Sequence, residues 1–283
     1  MTRNGSLEFR LLGPLEARLD DRPIALGGAR QRALVALLLL RANEVVSRDR
    51  LIEELWRDHA PETASNALSA LVTRLRRVLP IDVLVTKPGG YSIETEPDSI
   101  DVRRFEQLVE DGRQALAATE YDDASARLRS ALELWRGSPL ADFTYEPFAE
   151  PAILQLEELR ITAVESRIEA DLALGRHGAL IGELQALVTE HPLRERLRGQ
   201  LMLALYRSGR QAEALETYRQ GRAALLEELG IDPSPALQEL ERAILRQDAS
   251  VAAPTPSPLE VAPDPPLPAA ESCRTDWPTR CGR

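Results

Sequence analysis

Residues 63–79 read TASNALSALVTRLRRVL. The stretch holds three arginines and no acid, in a chain of 283 residues with a formal net charge of −10. On a 3.6-residue wheel, Leu68, Leu71, Val72, Leu75, Val78 and Leu79 gather on one side, which is predicted to pack on a core. Asn66, Ser69, Ala70, Thr73 and Arg77 face the other way, with Arg74 and Arg76 on the flanks. Short side chains at one end of that face and cations at the other suit a helix entering a DNA major groove. The small residues permit close approach, and arginines reach guanine edges or phosphates. A merely solvated surface helix could carry the same charges, so its neighbours in the chain decide the reading.

Upstream, LEFRLLG (7–13), LEARLD (15–20) and RPIALGG (22–28) have strand character, with a turn signal at Asp20-Asp21, and predict a small N-terminal sheet. ARQRALVALLLLRAN (29–43) is apolar almost throughout its second half and reads as a core helix. In VVSRDRLIEELW (45–56), Ser47 is the expected N-cap, followed by Leu51, Ile52, Leu55 and Trp56 at helical spacing. Pro61 breaks that helix, and 63–79 follows. Next comes VLVTKPGGYSI (83–93), two β runs joined by Pro-Gly-Gly, with Lys87 at the expected hairpin tip. Strands, three helices and a terminal hairpin outline a winged helix-turn-helix, and a wing lysine suits a minor-groove or phosphate contact.

The fold class expected is mostly α with small β: the winged helix over 1–97, then an α-helical tetratricopeptide-like repeat domain over 98–250. Three helix pairs are predicted, 104–120 with 121–137, 156–176 with 178–192, and 194–210 with 211–230. In the third, Leu201, Leu205, Gly209, Ala214, Tyr218 and Pro233 fall near the small, aromatic and proline positions of such a repeat. SPALQELERAIL (234–245) reads as a capping helix, with Ser234 as N-cap and Pro235 at the first helical position. Residues 251–283 are rich in proline and are expected to be disordered.

Composition excludes much else. Residues 1–97 carry 14 Lys+Arg against 13 Asp+Glu, whereas 98–283 carry 21 against 32, so the two parts suit different partners. The longest apolar run, ALVALLLL (33–40), is too short to span a bilayer, and the N-terminus lacks the pattern of a signal peptide. The two cysteines, Cys273 and Cys281, both lie in the last eleven residues and cannot staple a fold, which fits a reducing cytoplasm. His59, His177 and His191 have no metal-ligand spacing, and the single lysine precedes a proline, which rules out a P-loop. No nucleophile motif supports a hydrolase. A soluble, cytoplasmic protein that is not an enzyme, without cofactor or metal, is expected.

At this level of detail the chain resembles the Streptomyces antibiotic regulatory protein family, activators with an OmpR-type winged helix followed by a bacterial transcriptional activation domain. The resemblance runs from about residue 7 to 246. It is carried by RQRALVALLLLRANEVVSRDRLIEELW (30–56), NALSALVTRLRRVL (66–79), PGGY (88–91), ALELWRGSPLADF (131–143), RIEADLALGRH (167–177), EHPLRERLRGQLMLALYRSGRQAEALETYR (190–219) and EELGIDPSPALQELERAIL (227–245). It implies binding to direct repeats in promoters of biosynthetic gene clusters by two protomers side by side, and recruitment of RNA polymerase holoenzyme. It further implies that Thr73, Arg74 and Arg77 lie on the recognition face, with Arg74 the base reader. Arg76 is implied as a backbone contact, Ser47, Arg48 and Trp56 as phosphate contacts, and Lys87 and Tyr91 as wing residues. The segment 57–62 matches one that touches polymerase in related activators. Larger relatives append an ATPase and sensor repeats, for which the 33-residue tail is too short, and no receiver domain is visible. A repeat-protein adaptor that has lost DNA binding is the alternative from another class, and a repressor on the same fold is a further variant.

Overall fold

The computed structural model describes residues 6–252. It opens with an antiparallel sheet of β1 (Leu7–Arg10), β2 (Glu16–Leu19) and β3 (Arg22–Pro23), in that order. Between β2 and β3, Asp20 and Asp21 both take positive φ, 49° and 62°, as the tight hairpin closing the Leu19–Arg22 pair requires. Then α1 (Ala29–Leu39) runs through the core with Leu34 to Leu39 all buried.

Ser47 caps α2 (Arg48–Trp56) as expected, its Oγ accepting the Arg50 N–H at 3.3 Å. A 3-10 turn, Arg57–His59, leads to α3 (Ala64–Leu75), which buries Ala64, Leu68, Val72 and Leu75. The hairpin follows as β5 (Leu84–Lys87) and β6 (Gly90–Ile93). One strand escapes the sequence reading. Val46–Ser47 (β4) pairs with β6, giving a three-stranded sheet in the order β4-β6-β5. Gly90 makes that third strand possible: a Cβ there would stand 2.0 Å from the Val46 carbonyl oxygen. Its neighbour Gly89 turns the chain with a φ of 87°.

The remainder is helical: α4 (Asp101–Ala117), α5 (Tyr121–Glu133), α6 (Glu150–Ala173), α7 (His177–Glu190), α8 (Glu195–Arg207), α9 (Gln211–Leu229) and α10 (Pro235–Arg246). Antiparallel neighbours pack as α4 on α5, and α8 on α9, matching the first and third expected pairs. The second pair differs. The 24-residue α6 lies closest to α5, and α7 lies closest to α8, so the long helix bridges two layers instead of closing a hairpin with α7. Ala214 and Tyr218 are buried in the core between the last helices, as their repeat positions imply. Pro235 starts α10, but Ser234 makes no side-chain cap; its backbone N–H donates to Glu195 at 2.7 Å.

The core of the winged helix extends into the segment that leads to α6, while α6–α10 build a separate core of their own. Leu140, Phe143 and Ala149 pack with Phe9, Leu11, Leu34 and Leu38, and Ile100 makes a parallel bridge with Phe9. Polar contacts reinforce the junction. Asp142 accepts the Leu15 N–H at 2.7 Å and pairs with Arg32, Arg136 pairs with Glu16 at 2.8 Å, and Arg104 pairs with Glu8. At the far end, Ala249–Val251 forms a 3-10 turn, Val251 is buried, and its carbonyl accepts Arg207 Nε–H at 3.3 Å. Beyond Ala252 the expected disordered tail, with Cys273 and Cys281, lies outside the described residues.

Candidate nucleic-acid interface

The outer face of α3 is open along its length: Asn66, Ser69, Ala70 and Thr73 are exposed, as are Arg74, Arg76 and Arg77. No acid interrupts it, because the whole of 63–79 contains none. The α-helix proper ends at Leu75, so Arg76 and Arg77 sit in the closing turn. Val78, expected against the core, is instead 42% exposed, since beyond Leu75 the turn no longer holds the helical wheel. Ser69 and Thr73 donate their hydroxyl protons to the backbone carbonyls of Ser65 and Ser69 respectively, each at 2.9 Å. Their free lone pairs are thus turned outward as acceptors, suited to the amino groups of adenine or cytosine.

The arginines divide by environment. Arg77 is exposed in the closing turn, just past the strip of Asn66, Ala70 and Thr73. Arg74 stands on the flank and lines a cleft shared with Arg30, Leu71, Asp142 and Glu146, so one wall of its surroundings belongs to the helical part of the chain. Arg76 turns to the hairpin: its Nε–H donates to the Leu84 carbonyl at 3.0 Å and its Nη2–H to Thr86 Oγ1 at 2.7 Å. That guanidinium ties the recognition helix to β5.

Around the helix, two aromatic rings carry cations. Tyr91 is only 4% exposed, with the Arg48 guanidinium 5.4 Å above its ring; Trp56 is 6% exposed, with Arg30 at 5.6 Å. Both rings are therefore platforms that fix arginines at the surface. The Arg48 N–H also donates to the Gly89 carbonyl at 3.1 Å, joining the start of α2 to the wing. Ser47 is exposed beside it. Lys87 sits in the last position of β5, one residue before the Pro88-Gly89 turn, and its ammonium pairs with Glu94 at 2.7 Å. Arg30 was not singled out in the sequence. It starts a helix read as pure core, and only its place over Trp56 reveals it.

Among the described residues no group of His, Cys, Asp and Glu could hold a metal ion, and no helix is long and apolar enough to cross a membrane.

Comparison with known proteins gives two family matches. Residues 21–93 match "Transcriptional regulatory protein, C terminal", and residues 100–245 match "Bacterial transcriptional activator domain". The chain is 43% identical over 250 residues to "Regulatory protein AfsR" of Streptomyces coelicolor, an alignment covering 88% of this chain and 25% of that protein. It thus spans about a quarter of that relative's length. It is 39% identical over 256 residues to "Regulatory protein DnrI" of Streptomyces peucetius, covering 87% of this chain and 94% of that one. Among solved structures, Mycobacterium tuberculosis EmbR in complex with a low-affinity phosphopeptide superposes with a TM-score of 0.83 at 39% identity, covering 86% of this chain and 66% of that one.

Proposed function

Because the chain belongs to the Streptomyces antibiotic regulatory protein family, as a transcriptional regulator, we propose that it is a sequence-specific, cytoplasmic activator of a secondary-metabolite gene cluster. The observation that carries this reading is the exposed, acid-free face of α3 beside a three-stranded wing. Asn66, Ser69, Ala70, Thr73 and Arg77 enter the major groove, and Arg74 reads a base edge from the flank. Ser47, Arg48 and Arg30 meet phosphates at the edge of the groove, with Tyr91 and Trp56 holding the two arginines in place. Arg76 acts by fixing the wing against the helix. Lys87 reaches a phosphate only by giving up Glu94, so its contribution is the smallest of the set.

Division of labour follows the charge. The winged helix, proposed to end near residue 97, binds direct repeats as two protomers side by side. The acidic helices repel DNA and serve protein contacts, including RNA polymerase holoenzyme, which the turn at 57–62 also touches. The test is a footprint and an in vitro transcription assay on one template carrying the chain's own cluster promoters. Protection of a direct repeat with increased transcript supports the reading. Protection with reduced transcript makes the protein a repressor, and no protection favours an adaptor.

A further inference from the structure

A cavity of about 390 Å³ opens where α1 and α2 meet α4 and the start of α6. Leu37, Leu51, Ile100 and Phe148 form part of its lining. Its polar lining is uneven: three arginines, Arg41, Arg50 and Arg103, against two carboxylates, Glu54 and Glu106. Arg103 and Glu106 neutralise each other at 2.8 Å, and Arg50 stands 3.8 Å from Glu54. Arg41 is half-buried and, among the described residues, has no carboxylate at ion-pairing distance. A guanidinium left without a carboxylate partner in a cleft of mixed polar and apolar lining suits an anion with an apolar body.

The start of α6 adds to this preference. Its N-cap, Ala149, offers no side-chain acceptor, and Pro151 and Ala152 of its first turn line the cavity. The positive end of a 24-residue helix thus borders the same space, offset in part by the exposed Glu150 of its first turn. The volume falls within the range of about 300–1,000 Å³ usual for small-molecule sites, and junctions between packed units are a favoured place for them.

We propose that this chamber is a regulatory site for a small amphiphilic anion, an apolar body seated against Leu37, Leu51 and Phe148 with one carboxylate or sulfonate on Arg41. The ligand touches the winged helix and the helical part at once, so its binding stabilises their docked arrangement. The inference does not depend on the DNA reading, and its test uses no DNA.

The full chain is titrated by fluorescence and calorimetry with 8-anilinonaphthalene-1-sulfonate, and with N-phenyl-1-naphthylamine, which keeps the rings and lacks the sulfonate. The sulfonate is expected to bind saturably at one site, at least about tenfold more tightly than the neutral probe, and to raise Tm. Arg41→Glu should weaken the sulfonate by at least about tenfold and leave the neutral probe unchanged. Ala152→Trp, which fills the chamber, should remove both. Should that variant fail to fold, the charge reversal at Arg41 still decides. Equal binding of the two probes by the parent chain, or a sulfonate isotherm unchanged by Arg41→Glu, overturns the proposal.

Discussion

The carboxylate of Asp101 accepts the backbone N–H groups of Leu11 and Leu12, at 2.7 and 3.0 Å, across some ninety residues of chain. Asp101 is buried, and Arg136 stands 3.8 Å from it. Burial pushes its pKa up, against the opposing pull of the two amides and the guanidinium. One side chain at the start of α4 thus satisfies two donors that the N-terminal sheet leaves unpaired. Asp101→Ala should strand both amides in the core and cost about 3 kcal/mol. The same dependence means that residues 1–97 expressed alone should unfold without a cooperative transition, whereas the full chain melts in one. Circular dichroism melts of both proteins check this; a fragment as stable as the parent would show that the shared core is dispensable.

The close approach at Gly90 predicts a local failure. In Gly90→Ala the new methyl meets the Val46 carbonyl, so β4 must leave the sheet or β6 must shift. Stability should fall by more than about 2 kcal/mol, and the amides of β4 and β6 should lose hydrogen-exchange protection while those of α8 and α9 keep theirs. Uniform loss of protection across the chain would argue against a local cause.

The helical part holds a buried charge cluster that predicts an acid response. Asp171 is fully buried and accepts hydrogen bonds from Arg129 at 2.5 Å and from Ser125 and Arg176 at 2.8 Å. Burial alone would raise its pKa, but these bonds outweigh it and hold the carboxyl below the usual Asp range. A depressed carboxyl contributes stability above its unfolded pKa and loses that contribution as pH falls through the folded value. Asp171→Asn should therefore cost about 3 kcal/mol at pH 7, with the gap to the parent narrowing below about pH 4. Urea titrations at several pH values read the gap directly, and a pH-independent difference would contradict the assignment.

How much of this was legible in the sequence differs by element. The direction of α3 could be read because its apolar positions recur at helical spacing and its acids are missing over a full seventeen residues. The wing could be read because Pro-Gly-Gly leaves few other conformations. Strand β4 could not, since two residues, Val46 and Ser47, show no periodicity and become a strand only by lying against Gly90. The task of Arg76 depends on the hairpin bringing Leu84 and Thr86 within reach of its guanidinium, which the wheel cannot represent. The shared core was hidden for the same reason. Asp101 and Leu11 carry no local mark of each other, and a change in charge density near residue 97 suggests separation where the apolar surfaces in fact merge.

The proposed function stands or falls on DNA reading by the exposed strip of α3, and Ala70 lies at its middle with its side chain in solvent. The decisive measurement is the affinity of the full chain for its promoter repeat and for a scrambled duplex, over a range of salt, for the parent and three variants. Ala70→Glu should abolish preference for the repeat while leaving Tm unchanged. Arg77→Ala should weaken discrimination by about 1–3 kcal/mol, whereas Arg76→Ala should lower Tm by loosening the wing. If Ala70→Glu bound the repeat as tightly and as selectively as the parent, this face would not be the one that reads DNA.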